Sequence, residues 1–320
     1  WQTTKKFNVG ITSSLFGDRL NINADYYRET TDDMLIDVSL PPSSGAGTVK
    51  NNYGKQKSYG VEFSVWGRII QNRDWMWSVT ATGLHSKSTI LNISDALKRK
   101  NEENAAVNTE TTPRLQYREG ASPTTIWAVR SAGIDPASGK EIFIKQDGSY
   151  TYDYDTADQV ACGDKNPKLQ GTISSMLTYK NLSLNINFSY RFGGNLYNDT
   201  RMAKVESIDP QKNVDERAFT DRWKQPGDVS PYLAIKYNAE STSQSYFYTD
   251  RFVEKDNELL LSSVTLQYNV PQKVVNNLGL QRLYVSAGAE DLFRLTSAKY
   301  ERGTTYPFSR SVNLSLSLTL

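Results

Sequence analysis

Two stretches of this chain alternate strictly between apolar and polar residues. Each does so for about ten residues, the length a tilted strand needs to cross a bilayer. In the first, Leu182, Leu184, Ile186, Phe188, Tyr190 and Phe192 interleave with Ser183, Asn185, Asn187, Ser189 and Arg191. In the second, Val312, Leu314, Leu316, Leu318 and Leu320 interleave with Asn313, Ser315, Ser317 and Thr319. Period two places successive side chains on opposite faces of a strand. One face wholly apolar and the other wholly polar, sustained over this length, predicts an all-β fold, a transmembrane antiparallel β-barrel with lipid outside and water within.

Composition agrees with a barrel and excludes other classes. The 320 residues are 38% hydrophobic with a mean hydropathy of -0.57. No apolar run reaches the roughly 18 residues of a helical span. A barrel tolerates such polarity because half of each strand faces a wet lumen. The 19 Tyr, against 11 Phe and 6 Trp, suit aromatic girdles at membrane interfaces. Net charge is +2 from 37 basic and 35 acidic residues mixed along the chain, so a nucleic-acid partner is not expected. Cys162 and His85 are the single residues of their types, which leaves no disulfide and no cysteine-based metal cluster. A triad would have to use His85, which shares the phase of Trp77 and Val79 on the face assigned to lipid. No enzyme activity is expected.

Along the chain, strands are predicted with Phe7, Val9, Ile11 and Leu15, then with Leu20, Ile22, Ala24 and Tyr26 after the tight turn Gly17-Asp18. A loop at Pro41 to Gly47 precedes a strand carrying Val61, Phe63 and Val65. Asn72 to Asp74 turn into one with Trp75, Trp77, Val79 and Ala81. Ser94 to Thr112 reads as a long charged loop, either partly helical or mobile. Thr125 to Ile134 and Glu141 to Lys145 are shorter strand candidates, and Tyr150 to Asp164 is an acidic, Tyr-rich loop. Thr172 to Tyr179 and Leu182 to Phe192 follow, joined by Lys180-Asn181. After a loop from Gly193 to Tyr246 come Leu260 to Val270, Arg282 to Phe293 and Ser309 to Leu320.

Short turns alternate with long loops, as periplasmic turns and extracellular loops do in outer-membrane barrels. The count is about ten strands. An open sheet of that size cannot sit in lipid, where each unpaired edge group costs several kcal/mol. The strands therefore close into a small barrel or belong to a larger one. The chain starts at Trp1 with no charged-then-apolar leader, so an exported protein of this kind is expected to have lost an upstream part.

Motifs spread through nearly the whole chain resemble the C-terminal third of a SusC/RagA-type TonB-dependent transporter of the Bacteroidetes. They include Lys6-Phe7-Asn8-Val9-Gly10-Ile11, Asp25-Tyr26-Tyr27, Asn52-Tyr53-Gly54 and Ser58-Tyr59-Gly60-Val61-Glu62. Gly133-Ile134-Asp135-Pro136, Asn166-Pro167-Lys168, Phe192-Gly193-Gly194, Arg222-Trp223 with Pro226-Gly227-Asp228, and Glu290-Asp291-Leu292 complete the set. Three features depart from the family: Glu290 where Asn is common, a short loop from Ser297 to Tyr306, and Leu320 where an aromatic usually ends the chain. The resemblance implies that these strands are the last of a barrel of about 22, whose plug domain and TonB box are not among these residues. It further implies active import of a nutrient, an oligosaccharide first and a peptide second, under a SusD-like lipoprotein lid.

Candidate ligand- or lid-binding residues are the loop aromatics Trp127, Tyr150, Tyr152, Tyr154, Trp223, Tyr232, Tyr246, Phe247 and Tyr248. Aromatic faces stack on sugar rings and on peptide side chains. The alternative is that they pack the loops on one another. Asp147, Asp153, Asp155 and Asp158 offer oxygens to Ca²⁺ but lack the spacing of a calcium loop. No other cofactor is expected. Trp75 and Trp77 read as interface anchors, and Asn21, Asn23, Asn185 and Asn187 as lumen residues. Two other functions compete. A stand-alone porin or barrel hydrolase would close on itself, and a soluble glycan-binding β protein would bury its apolar faces in a dry core and need no detergent.

Overall fold

The computed structural model of the chain describes residues 1–39, 48–106, 112–208, 213–235, 246–299 and 309–319. The strands in chain order are β1 (Thr3–Leu15), β2 (Leu20–Asp32), β3 (Leu35–Ser39), β4 (Thr48–Asn52), β5 (Gly54–Gln71) and β6 (Trp75–Ile93). The helix α1 (Asp95–Ala106) precedes β7 (Thr125–Ile134), β8 (Glu141–Ile144), β9 (Tyr150–Thr151) and β10 (Gln159–Asp164). Then come β11 (Leu169–Tyr179), β12 (Leu182–Tyr197), β13 (Val253–Asn269), β14 (Arg282–Thr296) and β15 (Ser311–Thr319).

Nine strands form one antiparallel sheet in the order β1-β2-β5-β6-β11-β12-β13-β14-β15. This is the predicted succession with one change. The candidates at Thr125 to Ile134 and Glu141 to Lys145 do not join it. They become β7 and β8 of a separate four-stranded sheet, ordered β10-β7-β8-β9. Their pattern of burial differs too, because β7 begins with five consecutive buried residues where a barrel strand would alternate. β3 and β4 form a hairpin of their own, and α1 supplies the helix expected in the charged loop.

Pairing register carries the sequence pattern across the sheet. Tyr26 faces Val61, and Val61 faces His85. Ala81 lies beside Ile173, Ile173 beside Phe188, and Phe188 beside Leu261. Leu261 in turn meets Phe293, while Ala287 and Val285 meet Leu314 and Leu316. Paired residues point the same way, so one face of the whole sheet is apolar. Asn21, Asn23, Asn185 and Asn187 lie on the other. Among the described residues nothing packs on the apolar face: Phe7 is 61% exposed, Leu266 44% and Leu314 79%. An exposed apolar surface of this extent implies a lipid or protein covering. No described helix is long and apolar enough to cross a membrane.

Tight turns hold one end. Phe16, Gly17 and Asp18 all take positive φ. Asn72 accepts hydrogen bonds from the amides of Asp74 (3.1 Å) and Trp75 (2.8 Å), and Lys180 turns β11 into β12 with φ 50. At this end Trp75 stacks on Tyr179 with ring centroids 4.4 Å apart, and Tyr268 pairs with Leu182. These outward aromatics form part of an interfacial girdle. Among the described residues neither β1 nor β15 has a partner on its outer edge.

Candidate functional site

At the other end of the sheet the long connections fold into a packed mouth. Its core is Ile126, Ala128, Tyr197, Met202, Val205, Tyr232, Tyr248 and Phe252, drawn from β7, the end of β12 and the connection that follows. Cys162, Tyr246 and Val253 pack against it. Burial pushes the Cys162 thiol up to about 11, which disfavours its thiolate.

A buried chain of charge ties these segments together. Arg251 donates from Nε to Glu141 Oε1 (2.7 Å) and from Nη2 to Glu141 Oε2 (2.8 Å), a bidentate pair. The same Nη2 reaches Glu206 Oε1 at 2.8 Å. Thr249 adds a hydroxyl bond to Glu141 at 2.8 Å. Arg222 lies 4.0 Å from Glu206 Oε2 and donates to the carbonyls of Ala218 (3.0 Å) and Leu233 (3.0 Å). Burial alone would lower the Arg251 pKa, but Glu141 and Glu206 outweigh it and hold the guanidinium above its usual range. Sequence reasoning noted Arg222 only within a motif and missed the other members. Glu141 lies in β8 and its partners lie in the connection after β12, so no period in the sequence links them.

Most of the predicted aromatic site residues belong to the packing of this mouth. Trp127 is buried, with the Arg118 guanidinium 4.0 Å from its ring centre. Tyr232 and Tyr248 are core, and Tyr248 receives a hydrogen bond from Gln159 at 2.5 Å. Tyr154 stacks on Phe247 at 4.3 Å with its edge toward Phe143 at 5.3 Å. Tyr246 is half-buried against the core. Hydrophobic burial explains all six, since each ring removes a large apolar area from water.

Three remain at the surface. Tyr150 is 70% and Tyr152 53% exposed. Tyr152 donates to Asp135 Oδ2 at 2.9 Å, and Trp223 donates from Nε1 to the Pro136 carbonyl at 2.9 Å. The Trp223 ring lies over Gly139, where an added Cβ would come within 2.5 Å of it. Gly139 has φ +67, so its lack of a side chain serves both the turn and the close approach. The turn from Asp135 to Lys140 is thus clasped by Tyr152 on one side and Trp223 on the other. The Ser138 hydroxyl, the Ala137 amide and the Tyr152 hydroxyl hold the Asp135 carboxyl below its ordinary value.

The acidic candidates are occupied with local structure. Asp147 accepts from the amide and hydroxyl of Ser149 (2.8 and 2.7 Å), Asp155 from the amide of Ala157 (2.8 Å), and Asp158 from the amide of Gln146 (3.0 Å). No group of three or more His, Cys, Asp or Glu is placed to hold a metal among the described residues. His85 lies on the apolar face with Nδ1 2.5 Å from the Lys168 carbonyl, away from any nucleophile pair.

The polar face of the sheet bears a second feature. A hollow of about 680 Å³ is lined by Asn23, Asp25, Glu62, Gln170, Arg191 and Glu258, among others. Arg191 bridges Asp256 (3.0 Å) and Glu258 (3.4 Å), and Arg294 meets Glu258 at 3.1 Å.

A sheet with one lipid-facing side and one wet side, tight turns at one end and a built mouth at the other, is the geometry of an outer-membrane receptor wall. The family described as "TonB dependent receptor-like, beta-barrel" matches residues 1–201. The chain belongs to this family. Its sheet is therefore part of an outer-membrane β-barrel, in a family of receptors and transporters.

A TonB-dependent receptor of Formosa agariphila is 27% identical over 305 residues, which is 89% of this chain and 29% of that protein. The TonB-dependent receptor SusC of Bacteroides thetaiotaomicron is 25% identical over 278 residues, 84% of this chain and 26% of SusC. The chain thus spans under a third of the length of these relatives. Among solved structures, the RagAB peptide importer in its open-open state shares the fold with a TM-score of 0.77 at 23% identity. That match covers 100% of this chain and 35% of the other.

Proposed function

We propose that this chain forms part of the wall and mouth of a TonB-dependent importer that draws a nutrient oligosaccharide through the outer membrane. In this reading a SusD-like surface lipoprotein closes over the mouth, and TonB acts through parts of the protein outside these residues. The remaining barrel strands pair with the open edges of β1 and β15. The observation that carries the proposal is the nine-stranded register, apolar without and polar within, which ends in a rigid mouth. Such a mouth supports a transport gate, and the proposal includes no catalytic step. It includes no cofactor, and Asp153 and Asp155 are read as turn and loop residues.

Oligosaccharide is favoured by the exposed Tyr150, the Tyr152–Asp135 pair and Trp223, since rings and carboxylates suit sugar faces and hydroxyls. Peptide is the second reading. It is favoured by the charged hollow around Asp25, Glu62, Arg191 and Glu258, and the similar RagAB structure is that of a peptide importer.

The test compares uptake of labelled oligosaccharides and peptides by cells with and without the full-length gene, together with recovery of a co-purifying lipoprotein. Trp223→Ala is expected to reduce ligand retention or lipoprotein association while the barrel stays folded. Unchanged uptake of both ligand classes in the deletion strain would overturn the importer reading. An intact mass of 36.1 kDa for the membrane-extracted polypeptide would favour the small-barrel alternative.

A further inference from the structure

The outward face of the sheet is not uniform at its mouth end. Successive rows across β1, β2, β5 and β6 read Val9, Tyr26, Val61 and His85, then Phe7, Arg28, Tyr59 and Lys87, then Lys5, Thr30, Lys57 and Thr89. The first row and those below it are largely apolar. Within two pleats the same face becomes basic, with Lys5, Arg28, Lys57 and Lys87 gathered around Tyr59. Neighbouring strands lie about 4.8 Å apart and alternate residues about 7 Å apart along a strand. The four charges therefore fall within reach of one phosphate-bearing headgroup.

Two further observations separate this patch from an ordinary polar fringe. First, it is not neutralised. Among the described residues Asp32 is the acid that joins this face at the patch, and it is taken by Lys55 at 2.9 Å. Lys5, Arg28, Lys57 and Lys87 make no ion pair or side-chain hydrogen bond there, and Lys5, Arg28 and Lys87 are exposed. Like charges gathered on adjacent strands destabilise a sheet unless something offsets them. Second, the patch is confined. The mouth ends of β11 to β14 carry Leu169, Phe192, Leu259 and Leu295 on the outward face, with Lys255 alone beyond them. A general attraction to the membrane surface would not favour β1, β2, β5 and β6 over β11 to β14.

We propose that this patch is a binding site for the phosphate groups of the outer-leaflet glycolipid. Lys5, Arg28, Lys57 and Lys87 would pair with the phosphates, the Tyr59 hydroxyl would donate a hydrogen bond, and Phe7, Val9, Tyr26 and Val61 would pack on the acyl chains below. Basic groups placed just beyond an apolar surface bind anionic headgroups in this manner. The site rests on the membrane placement of the sheet and is independent of which nutrient is carried.

The test uses the full-length receptor, purified and delipidated in a neutral detergent, and measures binding of bis-phosphorylated lipid A, enzymatically dephosphorylated lipid A, and inorganic phosphate. Wild type is expected to bind the phosphorylated lipid at least about tenfold more tightly than the dephosphorylated one. Inorganic phosphate should not displace it at comparable concentration. Lys5→Gln, Arg28→Gln, Lys57→Gln and Lys87→Gln combined should abolish the preference. A control set of Arg99→Gln, Lys204→Gln, Lys224→Gln and Lys273→Gln should keep it. Equal binding of the two lipids by wild type would overturn the proposal without need of any variant. Loss in both sets, or displacement by free phosphate, would overturn it as well. Uptake measurements do not enter this comparison, so failure of the importer reading is seen separately.

Discussion

Arg251 joins segments that lie far apart in sequence: β8 through Glu141, the turn that follows β12 through Glu206, and its own short helical turn leading into β13. Both carboxylates are almost fully buried, so removing the guanidinium would strand them in an apolar setting. Arg251→Met is expected to destabilise the mouth by about 3–5 kcal/mol while the nine-stranded sheet persists. Limited proteolysis should then cut between β12 and β13 far faster than in wild type, with the detergent-resistant barrel unchanged. Acid acts on other residues. Hydrogen bonds from Arg217 hold the Asp215 carboxyl down to about 2 against an ordinary 3.8. A depressed carboxyl contributes stability above its unfolded value and loses it as pH falls through the folded one. The protection factor for hydrogen exchange around Asp215 to Asp221, corrected for the intrinsic pH dependence of amide exchange, should therefore be steady near neutrality and fall as pH drops below about 4 toward 2. The pairing of Arg251 with Glu141 and Glu206 was not legible in the sequence, because a contact between segments far apart in the chain leaves no periodic trace.

β6, β11 and β12 show what the sequence does reveal about elements. Their alternation, the turns at Asn72 and Lys180 and the outward Trp75 were all readable, since a strand between lipid and water has its pattern imposed on both faces. β7 and β8 were readable as strands but not as members of a different sheet. A short buried strand and a barrel strand differ in their partners, and partners are tertiary facts. The mutual packing of the loop aromatics was hidden for the same reason: Tyr154, Phe247 and Tyr248 look alike in sequence whether they face a ligand or one another. One close approach within the wall yields a test. Gly171 lets the Tyr190 hydroxyl cross it to the Thr82 carbonyl at 2.7 Å. An added Cβ there would sit 2.0 Å from that carbonyl oxygen and 2.8 Å from the hydroxyl. Gly171→Ala should loosen the pairing of β6 with β11 and cost about 1–3 kcal/mol, seen as a lower midpoint for unfolding of the receptor in detergent. An unchanged midpoint would contradict the packing described.

Over the whole molecule, the sheet and the mouth divide the work. The sheet provides a membrane wall whose outer face needs lipid, and the mouth provides a rigid rim whose aromatics are largely spent on its own core. In the proposed importer the hollow at Arg191 and Glu258 is one side of a larger lumen. All of this depends on which face of the sheet meets lipid. The most direct test is site-directed spin labelling along β12 in native outer membranes, one residue at a time from Leu182 to Phe192 in a Cys162→Ser background. Oxygen accessibility should peak at Leu182, Leu184, Ile186, Phe188 and Tyr190, with a water-soluble relaxer peaking at Ser183, Asn185, Asn187 and Ser189. The reverse phase, or no alternation at all, would contradict the account.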